Sequence, residues 1–210
     1  MKTAIDYFIA NAGMDQNGKQ VGPMAGGVVI FAAGNDGWPN GWPAKYEPVI
    51  AVGATNGSFK RSSYSNYGSW VDICAPGGNA DDGHLIYSTL PGNAYGKMEG
   101  TSMACPHVSG VVALGLSYAA RLHRHFKASE IIDLLYSSAT PVEQYWNIDE
   151  PKYYYKYVTD LGTIYRNSMV LRRYAGGMGS GQVNASAFLR AIEGSGVEMT
   201  FPNVTVAPGS

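Results

Sequence analysis

The sequence is poor in cysteine, in charge and in histidine. Cys74 and Cys105 are the two cysteines in 210 residues. They are too few for a disulfide framework and lack the spacing of a zinc site, so they read as buried free thiols. Charged residues make up 15% of the chain and the net charge is −1, which gives no basic surface for nucleic acid or an anionic membrane. Neither is expected as a partner. No apolar run approaches the roughly 20 residues that span a bilayer, and the polar opening, Met1 to Gly13, lacks the apolar stretch of a signal peptide. No cellular compartment follows from that.

What abounds is Gly (27) and Tyr (15), a composition of tight turns around a well-buried sheet. The length suits one domain or a large part of a bigger one. Thr3 to Ala10 carries Ala4, Ile5, Phe8 and Ile9 at helical spacing, and the turn formers that follow predict a loop to Gly27. Gly27 to Ala33 is an unbroken apolar run rich in β-branched residues, the pattern of a strand buried on both faces of a parallel sheet. Val49 to Ala54 repeats it, and Trp70 to Ala75, stopped by Pro76-Gly77-Gly78, is a weaker third strand. A hairpin is predicted across Pro91-Gly92-Asn93, joining His84–Leu90 to Ala94–Met98.

Ser102 to Leu122 must be a helix. Its apolar residues, among them Ala104, Val108, Val112, Leu116 and Ala119, fall on most sides and predict a helix surrounded by protein. Ser129 to Ser138 predicts another, with Ser129 as its N-cap, and Asn184 to Ile192 a third capped by Asn184. Pro141 to Met178 shows no dominant period and reads as an irregular excursion. Residues 193–210 leave the helical pattern as the start of a following segment.

The chemistry lies in Gly100-Thr101-Ser102-Met103-Ala104-Cys105-Pro106-His107-Val108-Ser109-Gly110. Ser102 falls in the first turn of the long helix, where free N–H groups and the positive dipole end stabilise negative charge on a substrate oxygen. Gly100 admits a substrate backbone. An isolated serine here would be read as a cap, but the whole stretch closely resembles the nucleophile motif of the subtilisin-like serine peptidases, the subtilases. His107 is not that serine's base: at ~100° per residue it points about 140° away around the helix. It reads as a packed, hydrogen-bonded histidine. His84, His123 and His125 read as solvated or packed. An α/β-hydrolase is excluded, since Gly-Thr-Ser-Met-Ala is not Gly-x-Ser-x-Gly.

Phe31-Ala32-Ala33-Gly34-Asn35-Asp36-Gly37 resembles the subtilase oxyanion motif, which makes Asn35 a donor to the developing oxyanion beside the Ser102 N–H. The resemblance also implies a substrate-binding role for Ala32, Ala33, Gly34 and Gly100, and a cis Trp42-Pro43 bond. Trp42–Tyr46 with Val49–Ala54, Ser65–Gly68, Asp72–Gly77 and Gly179–Ile192 match the family in order.

The resemblance implies a three-layer αβα parallel sheet over residues 1–192, interrupted by the excursion at about 141–178. The family's Asp-Thr/Ser-Gly and His-Gly-Thr-His segments precede the asparagine motif. Asp6, Asp15, Asp36, Asp72, Asp81 and Asp82 sit in no such segment. The chain is therefore expected to be the C-terminal portion of a catalytic domain, without the N-terminal strands and helices, inactive alone as a serine endopeptidase. Its expected partners are a peptide or protein substrate and the N-terminal part of the domain, with self-association in its absence. The competing reading is a noncatalytic peptide- or protein-binding module. No metal or other cofactor is expected: Asp72 with carbonyls near Ala44 and Tyr46 is the nearest approach to a calcium site, and no oxygen-rich loop of calcium spacing occurs.

Overall fold

The computed structural model describes residues 1–149, 151–158 and 163–194. Helix α1 (Lys2–Asn11) leads through a loop to β1 (Met24–Ala25) and β2 (Ile30–Ala32). Then follow β3 (Ile50–Thr55), β4 (Ile73–Pro76), the hairpin β5 (Ile86–Leu90) and β6 (Ala94–Met98), and α2 (Thr101–Arg121). The chain continues through β7 (Phe126–Lys127), α3 (Ala128–Ser137), a second hairpin of β8 (Pro151–Val158) and β9 (Thr163–Val170), and α4 (Ala185–Glu193).

The central sheet is parallel, in the order β2-β3-β4, with Ile30 opposite Ile50 and Val52 opposite Ile73. Period-two alternation divides its faces. Ile50, Val52, Ala54, Ile73 and Ala75 point into one cluster with Ala104, Val108 and Val112 of α2, and Phe188 and Ile192 of α4. Helices α2, α3 and α4 thus form a layer on that face. Cys74 points the other way, into a second cluster with Val142, Trp146, Met169, Leu171, Tyr174 and Met178. The segment 141–178 therefore covers the second face of β4. Its role is legible only in three dimensions, because its core contacts are scattered along an irregular path.

This segment is also more regular than its sequence suggests. Strands β8 and β9 pair in antiparallel register from Pro151↔Val170 to Val158↔Thr163, with short 3-10 turns at Glu143–Tyr145 and Leu171–Tyr174. Lys152 inserts inward and its ammonium meets Asp82 at 2.6 Å, while Tyr153 on the opposite face is exposed. The alternation is hidden because Tyr153 and its neighbour Tyr154, on opposite faces of the strand, are the same residue type.

Other expectations need adjustment. Strand β2 is three residues long and half-buried, not buried on both faces, and among the described residues it is an edge strand paired with β3. The buried positions of α2 are Thr101, Ala104, Val108, Val112, Gly115 and Ala119, one stripe at spacings of three and four, while Leu114 is exposed. Gly115 lets α4 approach closely: a Cβ there would stand 2.3 Å from Phe188 Cε1. Ser129 lies inside α3 and does not cap it; the Lys127 N–H donates to the Glu130 carboxylate at 2.6 Å. Asn184 does cap α4, accepting from the Ala187 N–H at 2.9 Å, a contact worth ~1 kcal/mol. Cys74 is buried and Cys105 half-buried, both as free thiols. The Trp42-Pro43 bond is cis. Residues 195–210 lie outside the described residues.

Candidate active site

Parallel strands deliver their carboxyl ends to one edge of the sheet, where loops gather functional groups. Here β2 ends at Ala32 and turns through Gly34 to Asn35. Strand β4 ends at Pro76, and the Gly77 carbonyl accepts from the Gly100 N–H at 2.9 Å. That bond fastens the start of α2 to the end of β4.

Asn35 and α2 are then joined directly. The Thr101 N–H donates to Asn35 Oδ1 at 2.9 Å, and the Thr101 hydroxyl donates to the same oxygen at 2.8 Å. Thr101 Oγ1 in turn accepts from the Gly34 N–H at 3.1 Å. A backbone N–H can only donate, so the amide end facing Thr101 must be the oxygen. The NH2 end of Asn35 is thereby left as the donor available to a ligand.

Gly100 lies next to that donor. With φ at 152° it occupies backbone space that favours glycine. A Cβ built there would lie 3.5 Å from the Ser102 nitrogen and 3.6 Å from Asn35 Nδ2. Two N–H donors therefore border one small space above a residue without a side chain. The Ser102 N–H is one of the first-turn donors with no intrahelical acceptor, and the Ser102 side chain is exposed beside it. Pro106, inside the helix, has no N–H to offer the Ser102 carbonyl.

Asn66, which the sequence places in a family segment without a role, holds the rest of the loop. Its Oδ1 accepts from the Asp36 and Trp38 N–H groups at 3.0 and 2.9 Å. Its Nδ2 donates to the Ala33 and Asn40 carbonyls at 2.9 and 3.0 Å. At 1% exposure it spends both amide protons and both oxygen lone pairs on the loop that carries Asn35. Thr101 was likewise missed as a positioning group, although its place between Gly100 and Ser102 was a signal.

The other expected residues are distributed as follows. Ala32 and Gly34 are half-buried and Ala33 is buried, forming the base of the loop. A cavity of about 320 Å³ adjoins Ser102, lined by Ile86, Tyr87, Ser88, Met103, Pro106 and His107. His107 is exposed, not packed, because its side of α2 is uncovered; Met103 O lies 2.7 Å from its Nδ1. His84, His123 and His125 are exposed. The Asp72 carboxylate accepts from the Ala51 N–H at 2.7 Å, and burial raises its pKa above the usual aspartate value. Among the described residues, no group of three or more His, Cys, Asp or Glu side chains gathers as metal ligands.

A profile of the subtilase family matches residues 1–175. The chain belongs to the subtilase family. Subtilisin NAT of Bacillus subtilis subsp. natto is 46% identical over 121 residues, covering 55% of this chain and 29% of that protein. Subtilisin DY of Bacillus licheniformis is 41% identical over 137 residues, 63% of this chain and 44% of the relative. Among solved structures, the self-cleaved protease domain of PatA aligns with a TM-score of 0.56 and 28% identity, over 81% of this chain and 51% of PatA. A protease from Pseudoalteromonas arctica aligns with a TM-score of 0.54 and 30% identity, over 79% of this chain and 42% of that chain. The chain thus spans less than half of these curated subtilisins and about half of the PatA domain. Its parallel sheet with packed helices has the subtilisin-like architecture.

Proposed function

We propose that this subtilase chain supplies the nucleophile and the oxyanion-binding groups of a serine endopeptidase, while the general base and its orienting carboxylate come from outside these residues. Ser102 Oγ attacks the peptide carbonyl as its proton passes to an imidazole. The carbonyl oxygen gains negative charge and is stabilised by the Ser102 N–H and Asn35 Nδ2. The C–N bond then breaks as the amine takes the proton, and water releases the acyl group by the same steps in reverse order.

The carrying observation is the pair of donors bordering the space above Gly100. Among the described residues no histidine is hydrogen-bonded to Ser102, and unassisted serine is a neutral, weak nucleophile. The chain alone should therefore have negligible peptidase activity. Ala32, Ala33, Gly34 and Gly100 are assigned to substrate contact on family resemblance, and neither catalysis nor binding is assigned to a metal.

The partner proposed for the base is an N-terminal part of the same domain. An apolar hollow of about 420 Å³ lies between Phe8, Gly27, Val28, Ile30, Val112 and Leu116, next to the open edge of β2. A strand added to that edge with a helix over the hollow would cover both. Without such a partner the chain should self-associate at micromolar concentration, which light scattering reads directly.

Intact-mass labelling with a fluorophosphonate tests the central claim. The expected result is labelling at Ser102 only when the chain is extended upstream or mixed with the N-terminal part, abolished by Ser102→Ala. No labelling in any form would instead identify a noncatalytic binding module.

A further inference from the structure

Asn66 holds the loop that carries Asn35, and a buried arginine grips both of its chain neighbours. Arg61 follows the end of β3, where its backbone bridges Thr55, and its side chain turns inward until the residue is 1% exposed. Its Nη2 donates to the carbonyl of Ser65, the residue before Asn66. Its Cζ lies 5.0 Å from the ring centroid of Tyr67, the residue after Asn66.

The segment 141–178 holds the same guanidinium from the other side. The Tyr174 ring centroid is 4.1 Å from Cζ, and Met169 Sδ accepts from Nη1 at 3.1 Å. Tyr174 also meets Tyr67 edge to face at 4.6 Å. The backbones are tied as well: the Gly68 N–H donates to the Gly177 carbonyl at 2.9 Å, and Lys152 Nζ donates to Arg61 O at 3.4 Å.

We propose that Arg61 is a positioning residue for the oxyanion-binding asparagine, and that the segment 141–178 acts on the site through it. The role rests on the peptidase reading of Asn35, whereas the chain of contacts does not. Family resemblance assigns nothing to Arg61 or to this segment.

A buried guanidinium is fixed by whatever offsets its charge. Among the described residues Arg61 forms no ion pair with a carboxylate, so the offset comes from the Ser65 carbonyl and the two tyrosine rings. Such contacts are stronger out of water, and losing them leaves a buried polar group unpaired. Arginine suits the place because its planar fork donates while its face lies against rings, which an ammonium cannot reproduce. From here the constraint passes to the site through the main chain. The Asn66 N–H donates to the Gly34 carbonyl at 2.9 Å, the Gly37 N–H to the Tyr64 carbonyl at 2.7 Å, and the Tyr67 N–H to the Trp38 carbonyl at 3.0 Å. Residues 64–67 are thus a template for residues 34–38, with Asn35 among them. An apolar side chain could fill the volume of Arg61 but could not hold Ser65 O, which separates positioning from mere packing.

Hydrogen exchange of the chain, read by mass spectrometry over residues 34–40 with α2 as internal reference, tests the contact chain without turnover. Arg61→Met keeps the apolar stem and removes the fork, Tyr174→Leu removes the ring, and Tyr174→Phe keeps it. The first two should speed exchange over 34–40 at least about tenfold, the order of one lost local hydrogen bond, and change α2 less than about twofold. Tyr174→Phe should exchange like the parent. Unchanged exchange over 34–40 in either Arg61→Met or Tyr174→Leu, or an equal rise in α2, overturns the proposal. In the domain extended upstream, the same two variants should slow fluorophosphonate labelling of Ser102, with Tyr174→Phe labelling at the parental rate. Parental labelling in all three, alongside faster exchange in the first two, refutes the positioning role. A parent that never labels refutes the catalytic reading of Ser102 and Asn35 and leaves exchange to decide the contact chain, so the two failures are distinguishable.

Discussion

Replacing Asn66 with alanine removes four hydrogen bonds at once. The Asp36 and Trp38 N–H groups lose their acceptor, and the Ala33 and Asn40 carbonyls lose their donor. At ~1 kcal/mol net for each bond the loss sums to about 4 kcal/mol. Asp36, Trp38 and Asn40 are exposed, so water re-satisfies part of what is released, whereas Ala33 is 1% exposed and its carbonyl gains little from solvent. The expected destabilisation is therefore about 2–4 kcal/mol, read from equilibrium urea unfolding with the slope checked against the parent protein. Asn66→Asp separates the two halves of the side chain. It keeps the acceptor for the two N–H groups but sets an anionic oxygen against two carbonyls, so at neutral pH it should be no more stable than Asn66→Ala. Because Asn35 directly precedes Asp36, fluorophosphonate labelling in the completed domain should slow in both variants. Destabilisation below about 1 kcal/mol in both, with labelling unchanged, would refute the idea that one buried amide holds the loop.

Two further predictions follow from the site and its surroundings. Thr101→Val removes the hydroxyl shared by Gly34 and Asn35 while keeping the Thr101 N–H, so kcat in the completed enzyme should fall about tenfold, ~1.4 kcal/mol, with KM nearly constant and Thr101→Ser restoring it. Burial pushes the Asp82 carboxyl up, but hydrogen bonds from Lys152 and Asn56 more than offset this and hold it below the usual range. A depressed folded pKa means that the stabilisation is present above the unfolded value of ~3.9 and is lost as pH falls through the folded value. Burial at the same time lowers the Lys152 pKa despite its partner, so desolvation of the ammonium consumes much of the gain. Asp82→Asn should accordingly cost only about 1 kcal/mol at pH ~7, shrinking to nothing in strong acid, as measured by urea midpoints across pH.

What could be read in the chain was whatever repeats locally. The all-buried run of β3, the apolar length of α2 and the Asn184 cap each depend on neighbours within a turn or a strand. The site motifs were legible for a similar reason: Gly100, Thr101 and Ser102 are contiguous, as are Gly34 and Asn35. Their union was not, because the bonds from Thr101 to Asn35 join groups 66 residues apart. Asn66 is silent in sequence, since its four partners lie 26 to 33 residues away and any polar loop residue looks much the same. The excursion at 141–178 failed for the opposite reason. Tyr153 and Tyr154 face opposite sides, so the hairpin period is masked by chemistry that suits both.

On the peptidase reading proposed above, the same long-range bonds would hold this part of the fold ready for chemistry independently of the base. An oxyanion-binding pair works only if its donors already point at the charge when the charge forms, since reorienting them during the reaction costs what they would contribute. Here one donor is backbone at the start of α2, tied to β4 through Gly77 and Gly100. The other is a side chain whose oxygen end is taken by two Thr101 donors, on a loop held by Asn66. Each constraint lies within residues 33 to 102, and none involves the exposed side of α2. Completing the domain would thus add proton transfer at Ser102 Oγ without having to build the electrostatic part of the site. Asn35→Ala and loss of the base should then be separable, the first lowering the rate by ~10²–10³ in an enzyme that still labels at Ser102, the second abolishing labelling while the Asn35–Thr101 bonds persist.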